Sequence, residues 1–345
     1  MRHRNSHLVS EDRETQMLQG VSRSFALTIP QLPPPLRSPV TNGYLLFRIA
    51  DTIEDENNLS VEQKTFFFYK FIDVVEGKVP AAEFAAALLP LLSERTSQAE
   101  KELIRNAPLV VERTYSFGRK KQIALQRCAS IMARGMQSFQ EKKSLRGLKD
   151  LSQLNSYCYH VAGVVGELLT ELFCEYSEEI SKKRDRLFRL APSFGQGLQM
   201  TNILKDLWDD RNRGVCWLPQ DVFEKAGFDL RNLSQGKYAP SFGEGVARLI
   251  GIARSHLGNA LSYSLMIPTY ERGIRKFCLW AIGMAVFTLM NINKRPDFSS
   301  GSEVKISRRT LRAILLVADT SLRNNYLLKG LFRMATWSLP KNEMG

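Results

Sequence analysis

The sequence predicts an all-α fold, and three observations predict it. Apolar residues recur three and four positions apart along most of the chain, no segment alternates as a half-buried strand does, and turn-forming residues cut the pattern into helix-length pieces. Taken in order, Pro30, Pro33, Pro34, Pro35 and Pro39 announce the first long helix. Gly43-Tyr-Leu-Leu-Phe-Arg-Ile-Ala-Asp51 then runs without strand alternation, and Glu56-Asn-Asn58 ends it. Val161 to Phe173 and Leu249 to Met266 are amphipathic at the helical period, with a turn-rich stretch from Gly227 to Pro240 between them. Phe277 to Ile292 is apolar but falls short of the ~18 residues of a spanning helix and carries Gly283 and Thr288, so it predicts a buried helix. Roughly ten or more helices result, with no fixed-period repeat and no long linker. The expectation is a single domain over residues 1–345, its core at 15–310 and C-terminal helices at 310–340.

A chain of 345 residues, 44% hydrophobic, is long enough to bury a large core. Cys128, Cys158, Cys174, Cys216 and Cys278 are odd in number and dispersed, with no CxxC pair. That pattern speaks against a disulfide framework and against structural zinc, and suits a reducing compartment. The opening Met1-Arg-His-Arg-Asn5 is polar and predicts no secretory signal, so a cytoplasmic location is expected. The formal charge of +13 fits nucleic acid, an anionic membrane surface or phosphorylated substrates as partners. Its cations are spread along the chain without a nucleic-acid-binding motif, which argues against the first.

Two acidic constellations carry chemistry. In Arg48-Ile-Ala-Asp51-Thr-Ile-Glu54-Asp55, the three carboxylates stand at i, i+3 and i+4, on one helical face within an otherwise apolar segment. The same spacing recurs in Gln199-Met-Thr-Asn202-Ile-Leu-Lys205-Asp206-Leu-Trp-Asp209-Asp210-Arg211, where Asn202 and Gln199 extend the polar stripe backwards. Like charges at this spacing repel by a few tenths of a kcal/mol per pair, so a cation is expected to offset them. Mg²⁺ suits such clusters, because it takes oxygen ligands and typically bridges one or two carboxylates to substrate phosphates. Arg23, Arg48, Lys205 and Arg211 are available to grip the same phosphates. A lone cluster of this kind is usually a solvated acidic face; two copies in apolar helical context point to catalysis.

At these residues the chain resembles the squalene/phytoene synthase family, from about Ser22 to about Arg309. Ser22-Arg-Ser-Phe-Ala26 looks like the family's opening motif, followed by Tyr44-x-x-x-Arg48-x-x-Asp51-x-x-Glu54-Asp55. Then come Tyr157-Cys-Tyr-His-Val-Ala-Gly163-Val-Val-Gly166 and Gln199-x-x-Asn202-x-x-x-Asp206-x-x-Asp209-Asp210. The DDxxD-type first motif of chain-elongating prenyltransferases is absent. Within the family the likeness is to the squalene-forming branch, and Val304-Lys305-Ile306 resembles that branch's nicotinamide-gripping segment. Trp217-Leu-Pro219 is a pattern shared with phytoene-type members. Two positions depart from the pattern. Val215 stands where the family usually has an arginine, with Arg213 the nearest substitute, and Ser307 follows Ile306, with Arg308 one residue later.

The resemblance implies an isoprenoid-synthase-type helical bundle around a central cavity. It implies head-to-head condensation of two farnesyl diphosphates through presqualene diphosphate, with NADPH reduction to squalene. Mg²⁺ would be held by Asp51, Glu54, Asp55, Asp206, Asp209 and Asp210, with Asp51, Asp55, Asp206, Asp210 and Tyr157 as the catalytic set. Substrate binding would fall to Ser22, Arg23, Phe25, Tyr44, Arg48, Gln199, Asn202, Lys205 and Arg213. NADPH would meet Arg23, Arg48, Asn202, Lys305 and Arg308. Tyr157 would offer an electron-rich ring to an allylic cation, whereas His160 reads as a core histidine. Gly163 and Gly166 fit either a groove for a prenyl chain or close helix packing; Phe25, Phe277 and Leu279 fit either a hydrocarbon tunnel or ordinary core. The alternatives are a phytoene or dehydrosqualene synthase without reductant, and a non-catalytic helical binding protein. A monomer is favoured. Ala313 to Leu339 mixes apolar residues with Arg323, Lys329 and Arg333. It reads as terminal helices packed on the domain, the favoured reading, or as a peripheral membrane contact in place of the C-terminal anchor found in eukaryotic members.

Overall fold

A computed structural model describes residues 13–342; the polar opening Met1–Asn5 lies outside them. Helices and their connecting turns account for the described residues, with no strand among them. Internal contacts group the chain into two compact units. One runs to Glu141 and includes Glu171–Ser177; the other comprises Lys142–Thr170 and the residues from Glu178 onward.

The first unit is built on α1 (Pro34–Asp55), whose Leu45, Leu46, Ile49 and Ile53 are fully buried. Around it pack α2 (Val61–Val75), α3 (Gln98–Arg105), α4 (Ala107–Ser116) and α5 (Arg119–Gln140). Local sequence starts two of them. Ser60 with Gln63 and Ser97 with Glu100 form reciprocal capping boxes, which satisfy otherwise orphaned N–H groups at about 1 kcal/mol per cap. At the core of this unit, buried Asn42 donates to the Val110 carbonyl and accepts from the Thr114 hydroxyl, which pins α1 to α4.

The second unit contains α6 (Leu151–Cys158), α8 (Arg184–Lys205), α9 (Leu207–Asn212), α10 (Pro240–Met266), α11 (Arg272–Lys294), α12 (Arg308–Ser321) and α13 (Asn325–Ala335); α7 (Val164–Tyr176) contributes to both units. Helix α6 continues through a π-turn at Tyr159–Gly163 into α7, and this stretch lies against α8 at very close range. A Cβ on Gly166 would sit 2.0 Å from the Ala191 carbonyl oxygen, and one on Gly195 only 1.9 Å from that of Ala162. Of the two roles open to Gly163 and Gly166, the second is what Gly166 performs: it lets two backbones touch. Pro192, inside α8, removes one helical N–H at the same place.

Helix α11 is long and apolar enough to cross a membrane by length and composition. It packs instead against α8, α10 and α12 with Phe277, Leu279, Trp280 and Leu289 buried. Arg275 is fully buried and donates to the Ile267 carbonyl at 2.7 Å and to Asn325 Oδ1 at 2.6 Å. Leu315, Ala318, Leu322, Leu328 and Phe332 of the C-terminal helices complete a core cluster with Leu261, Leu279 and Trp280. Each such leucine, when buried, contributes about 1.5–3 kcal/mol.

Candidate active site

The first carboxylate cluster ends α1. Arg48 donates to Asp51 Oδ2 at 3.0 Å and to Glu100 Oε1, while the other oxygen of Glu100 is committed to the capping box of α3. Glu100 therefore fixes Arg48, and Arg48 fixes Asp51. Arg48 Nε is buried with no hydrogen-bond partner among the described residues. The three carboxylates do not share one face in the way the spacing predicts. Asp51 keeps 32% of its side chain exposed and Asp55 faces solvent, whereas Glu54 is 6% exposed and accepts from Gln140 Nε2 at 3.4 Å. An i, i+3, i+4 set spans a wide arc, and on a helix packed along most of its length the edge nearest the core turns inward. Burial pushes the Asp51 carboxyl up to about 7 against the pull of Arg48, with Asp55 and Glu54 adding repulsion.

Upstream residues gather on this helix end. The Phe25 amide donates to Ser22 Oγ at 3.0 Å, and the Phe25 ring lies 5.0 Å from that of Tyr44. The Tyr44 hydroxyl, its pKa raised by burial, donates to the Val21 carbonyl. Arg23 is exposed beside them. Glu56 closes the motif: its carboxylate accepts from the Asn58 and Ser93 amides and the Thr96 hydroxyl, tying the end of α1 to the loop that leads into α3.

The second cluster straddles a helix break. Asp206 joins α8 to α9, its amide still donating to the Asn202 carbonyl at 2.8 Å and its own carbonyl accepting from Asp210 at 2.9 Å. Lys205 Nζ bridges Asn202 Oδ1 at 3.2 Å and Asp206 Oδ2 at 3.1 Å. Gln199 is half-buried one turn earlier on α8, and Asp209 is exposed. Asp210 is 7% exposed and paired with Arg213. Arg213 thus serves Asp210, and Val215 is buried, its amide bonded to the Asp210 carbonyl. Arg211 donates to the Leu145 and Leu233 carbonyls and so acts on loops. Here too one member of the triad turns inward. Among the described residues no three acidic, histidine or cysteine side chains converge on one point as a ready-made metal cage.

Segment 298–308 adjoins this cluster. The Trp208 indole donates to the Phe298 carbonyl at 2.6 Å, and Asn291 Nδ2 donates to the carbonyls of Val304 at 3.1 Å and Lys305 at 3.3 Å. Gly301 lies against the motif: a Cβ there would be 2.9 Å from the Lys205 carbonyl, 3.4 Å from Asp206 Oδ1 and 3.6 Å from Asp209 Oδ2. The space beside the two carboxylates is a cradle that any side chain at 301 would begin to fill. Lys305 and Arg308 are exposed, and Ser307 caps α12 through the Thr310 amide at 3.0 Å.

Tyr157 is 4% exposed and stacks on Trp217, ring centroids 3.9 Å apart and planes 13° off parallel, with Lys143 Nζ 5.6 Å from the Trp217 ring. Trp217 is held by loop pairing: Leu148 and Leu218 bond at 2.9 Å, and Gln220 returns a bond to Leu148 at 2.8 Å. The turn needs Gly147, which has φ of 90° and no room for a Cβ beside the Leu218 carbonyl. His160 Nδ1 lies 2.7 Å from the Ser156 carbonyl, a local helix bond. Phe277 and Leu279 belong to the core of their unit.

Four of these contributors escape sequence reasoning. Glu100 had a local signal, the Ser-x-x-Glu box, but nothing tying it to Arg48. Trp208, Trp217 as the partner of Tyr157, and Gly301 act through contacts distant in the chain.

The donor sets fit Mg²⁺. Asp51 with Asp55 in one unit and Asp206 with Asp209 in the other present carboxylate oxygens open or partly open to solvent, the donor type Mg²⁺ takes, and Gly301 keeps space beside the second pair.

The family model described as squalene/phytoene synthase matches residues 18–310. Similar relatives include squalene synthase ERG9 of Gibberella zeae, 28% identical over 282 residues, which is 81% of this chain and 58% of that protein. The squalene synthase of Yarrowia lipolytica is 25% identical over 308 residues, 88% of this chain and 66% of that protein. Squalene synthase ERG9 of Saccharomyces cerevisiae is 28% identical over 330 residues, 90% and 69% of the two chains. The first two matches span 58% and 66% of their relatives' length, less than two thirds. In architecture the chain is similar to TcSQS in complex with BPH1237, with a TM-score of 0.74 at 23% identity, covering 97% of this chain and 94% of that one. It is also similar to a dehydrosqualene synthase in complex with ligand, with a TM-score of 0.67 at 19% identity, covering 92% and 98%. These likenesses establish the all-α fold.

Proposed function

The chain belongs to the squalene/phytoene synthase family, and from that premise we propose that it condenses two farnesyl diphosphates head to head and reduces the product to squalene. Asp51 and Asp55 in one unit and Asp206 and Asp209 in the other are the outward carboxylates that hold Mg²⁺. Glu54 and Asp210 support them from the buried side through Gln140 and Arg213. Bound Mg²⁺ supplies the positive charge that a departing diphosphate needs. Arg48, with a buried and unpaired Nε, and Lys205, between Asn202 and Asp206, add fixed cations for phosphate oxygens.

Loss of the first diphosphate leaves an allylic cation. The second farnesyl double bond attacks it, and proton loss closes the cyclopropane of presqualene diphosphate. Tyr157, held rigid by its stack on Trp217, presents electron density to cationic carbon without moving. The second ionisation releases diphosphate and rearranges the skeleton, and NADPH, when bound, would supply the hydride that gives squalene. Lys305 and Arg308, exposed on the segment that Gly301 and Asn291 tie beside the second carboxylate cluster, bind the cofactor's phosphates. Arg23, Arg48 and Asn202 complete the cofactor-binding set.

One observation supports the reductive reading over a dehydrosqualene or phytoene product: the backbone of the Lys305 segment packs on Lys205 and Asp206 themselves. The deciding experiment is mass spectrometry of products from farnesyl and geranylgeranyl diphosphates, each with and without NADPH. Squalene from farnesyl diphosphate in the presence of NADPH is expected. Phytoene, or dehydrosqualene regardless of reductant, assigns the chain to the other branch.

A further inference from the structure

Helices α12 and α13 carry two apolar faces, and internal packing accounts for only one. The inner stripe, with Leu315, Ala318, Leu328 and Phe332, is the part that joins the core cluster. On the other side Leu316 is 66% exposed, Tyr326 88%, Met334 69% and Trp337 86%, with Val317 and Leu327 also open. At 100° per residue Tyr326, Arg333 and Met334 stand on one side of α13, with Lys329 at its edge, and the exposed Trp337 lies in the turn that follows the helix. On α12 the exposed Leu316 follows Arg312 by four residues and Arg309 by seven, so the same pairing of cation and apolar side chain recurs.

The charge on this segment has one sign. From Lys305 to Asn342 the cations are Lys305, Arg308, Arg309, Arg312, Arg323, Lys329, Arg333 and Lys341, and the sole acid is Asp319. Asp319 is turned inward, accepting from Lys276 at 2.7 Å and from the Trp280 indole at 3.0 Å. An exposed tyrosine and tryptophan beside unneutralised cations is the composition that settles at the boundary of head groups and acyl chains. We propose that the outer face of α12 and α13 docks this protein peripherally on an anionic lipid bilayer. The inference does not depend on the reaction proposed above.

The test uses the full chain with vesicles of phosphatidylglycerol and phosphatidylcholine, and of phosphatidylcholine alone. The protein is expected to float with the anionic vesicles at about 0.05 M salt and to leave them near about 0.5 M, where screening is nearly complete. Lys329→Gln with Arg333→Gln should weaken binding by about fivefold per residue. Tyr326→Ser with Trp337→Ser should abolish it with helicity unchanged. A second readout needs no variant. Trp208, Trp217 and Trp280 are buried, so brominated lipid quenches Trp337 selectively in the native protein. Three outcomes overturn the proposal: an intact protein that stays unbound at low salt, no quenching by brominated anionic lipid, or Trp337-dependent self-association without vesicle binding.

Discussion

At the scale of single residues, the two acidic motifs differ in how their charges are held. Asp51 is fixed by Arg48, which is fixed in turn by Glu100; Asp206 is held by a lysine one residue away. Asp51→Asn and Asp206→Asn each keep the side-chain volume and remove like-charge repulsion. Each variant should therefore retain its helicity and thermal midpoint while losing most turnover, by about a hundredfold or more. Parental turnover of farnesyl diphosphate at saturating Mg²⁺ in either variant would remove that residue from the metal set. Gly301 offers a separate test. An alanine methyl would press on the Lys205 carbonyl from 2.9 Å and shift the backbone that lines Asp206 and Asp209. Since an error of about 1 Å at a reacting centre costs up to a hundredfold, Gly301→Ala should lower turnover by about tenfold. Calorimetric titration of Mg²⁺ with inorganic pyrophosphate should show weaker binding, and unchanged affinity would separate Gly301 from the carboxylates.

At the scale of elements, glycine decides how near helices come. Gly166→Ala drives a methyl into the Ala191 carbonyl, so denaturant unfolding should show a loss of about 1–3 kcal/mol. Gly330→Ala, in α13 with open space around it, should instead hold or gain up to about 1 kcal/mol from helix propensity alone. The contrast distinguishes a packing glycine from an incidental one. The contact between α8 and α10 also carries a pH signature. His256 Nδ1 lies 2.9 Å from Ser193 Oγ, which accepts from Asn259, and burial lowers the His256 pKa below its ordinary value. The unfolded chain therefore takes up a proton first as pH falls through about 6.5, and the stability supplied by neutral His256 is present above that pH and lost below it. The thermal midpoint should fall between about pH 7.5 and 5.5 by more in the parent than in His256→Gln. Equal slopes would assign the acid sensitivity elsewhere.

At the scale of the whole molecule, the proposed reaction divides into a half that needs no reductant and a half that does. Without NADPH the product should be presqualene diphosphate, or dehydrosqualene and hydroxylated products, because proton loss closes the first half. Lys305→Ala should reproduce part of that shift by removing one cation from the cofactor segment. Squalene formed at full rate without nicotinamide would defeat the assignment. The sequence by itself determined the helical class, the positions of both acidic motifs, the buried nature of Phe277 to Ile292 and the family. All of these rest on patterns within a few turns of one helix or on the order of motifs along the chain. Only the tertiary structure decided which carboxylate of each triad turns inward, since that depends on Gln140 and Arg213 and on which edge of the helix meets the core. It alone joined Glu100 to Arg48, Trp217 to Tyr157 and Gly301 to Asp206, pairs between 52 and 95 residues apart in number whose contacts no periodicity encodes. It also resolved the C-terminal segment, where packed helix and exposed surface are not alternatives. A helix has two sides, and a composition read along the chain cannot say which of them the rest of the molecule will cover.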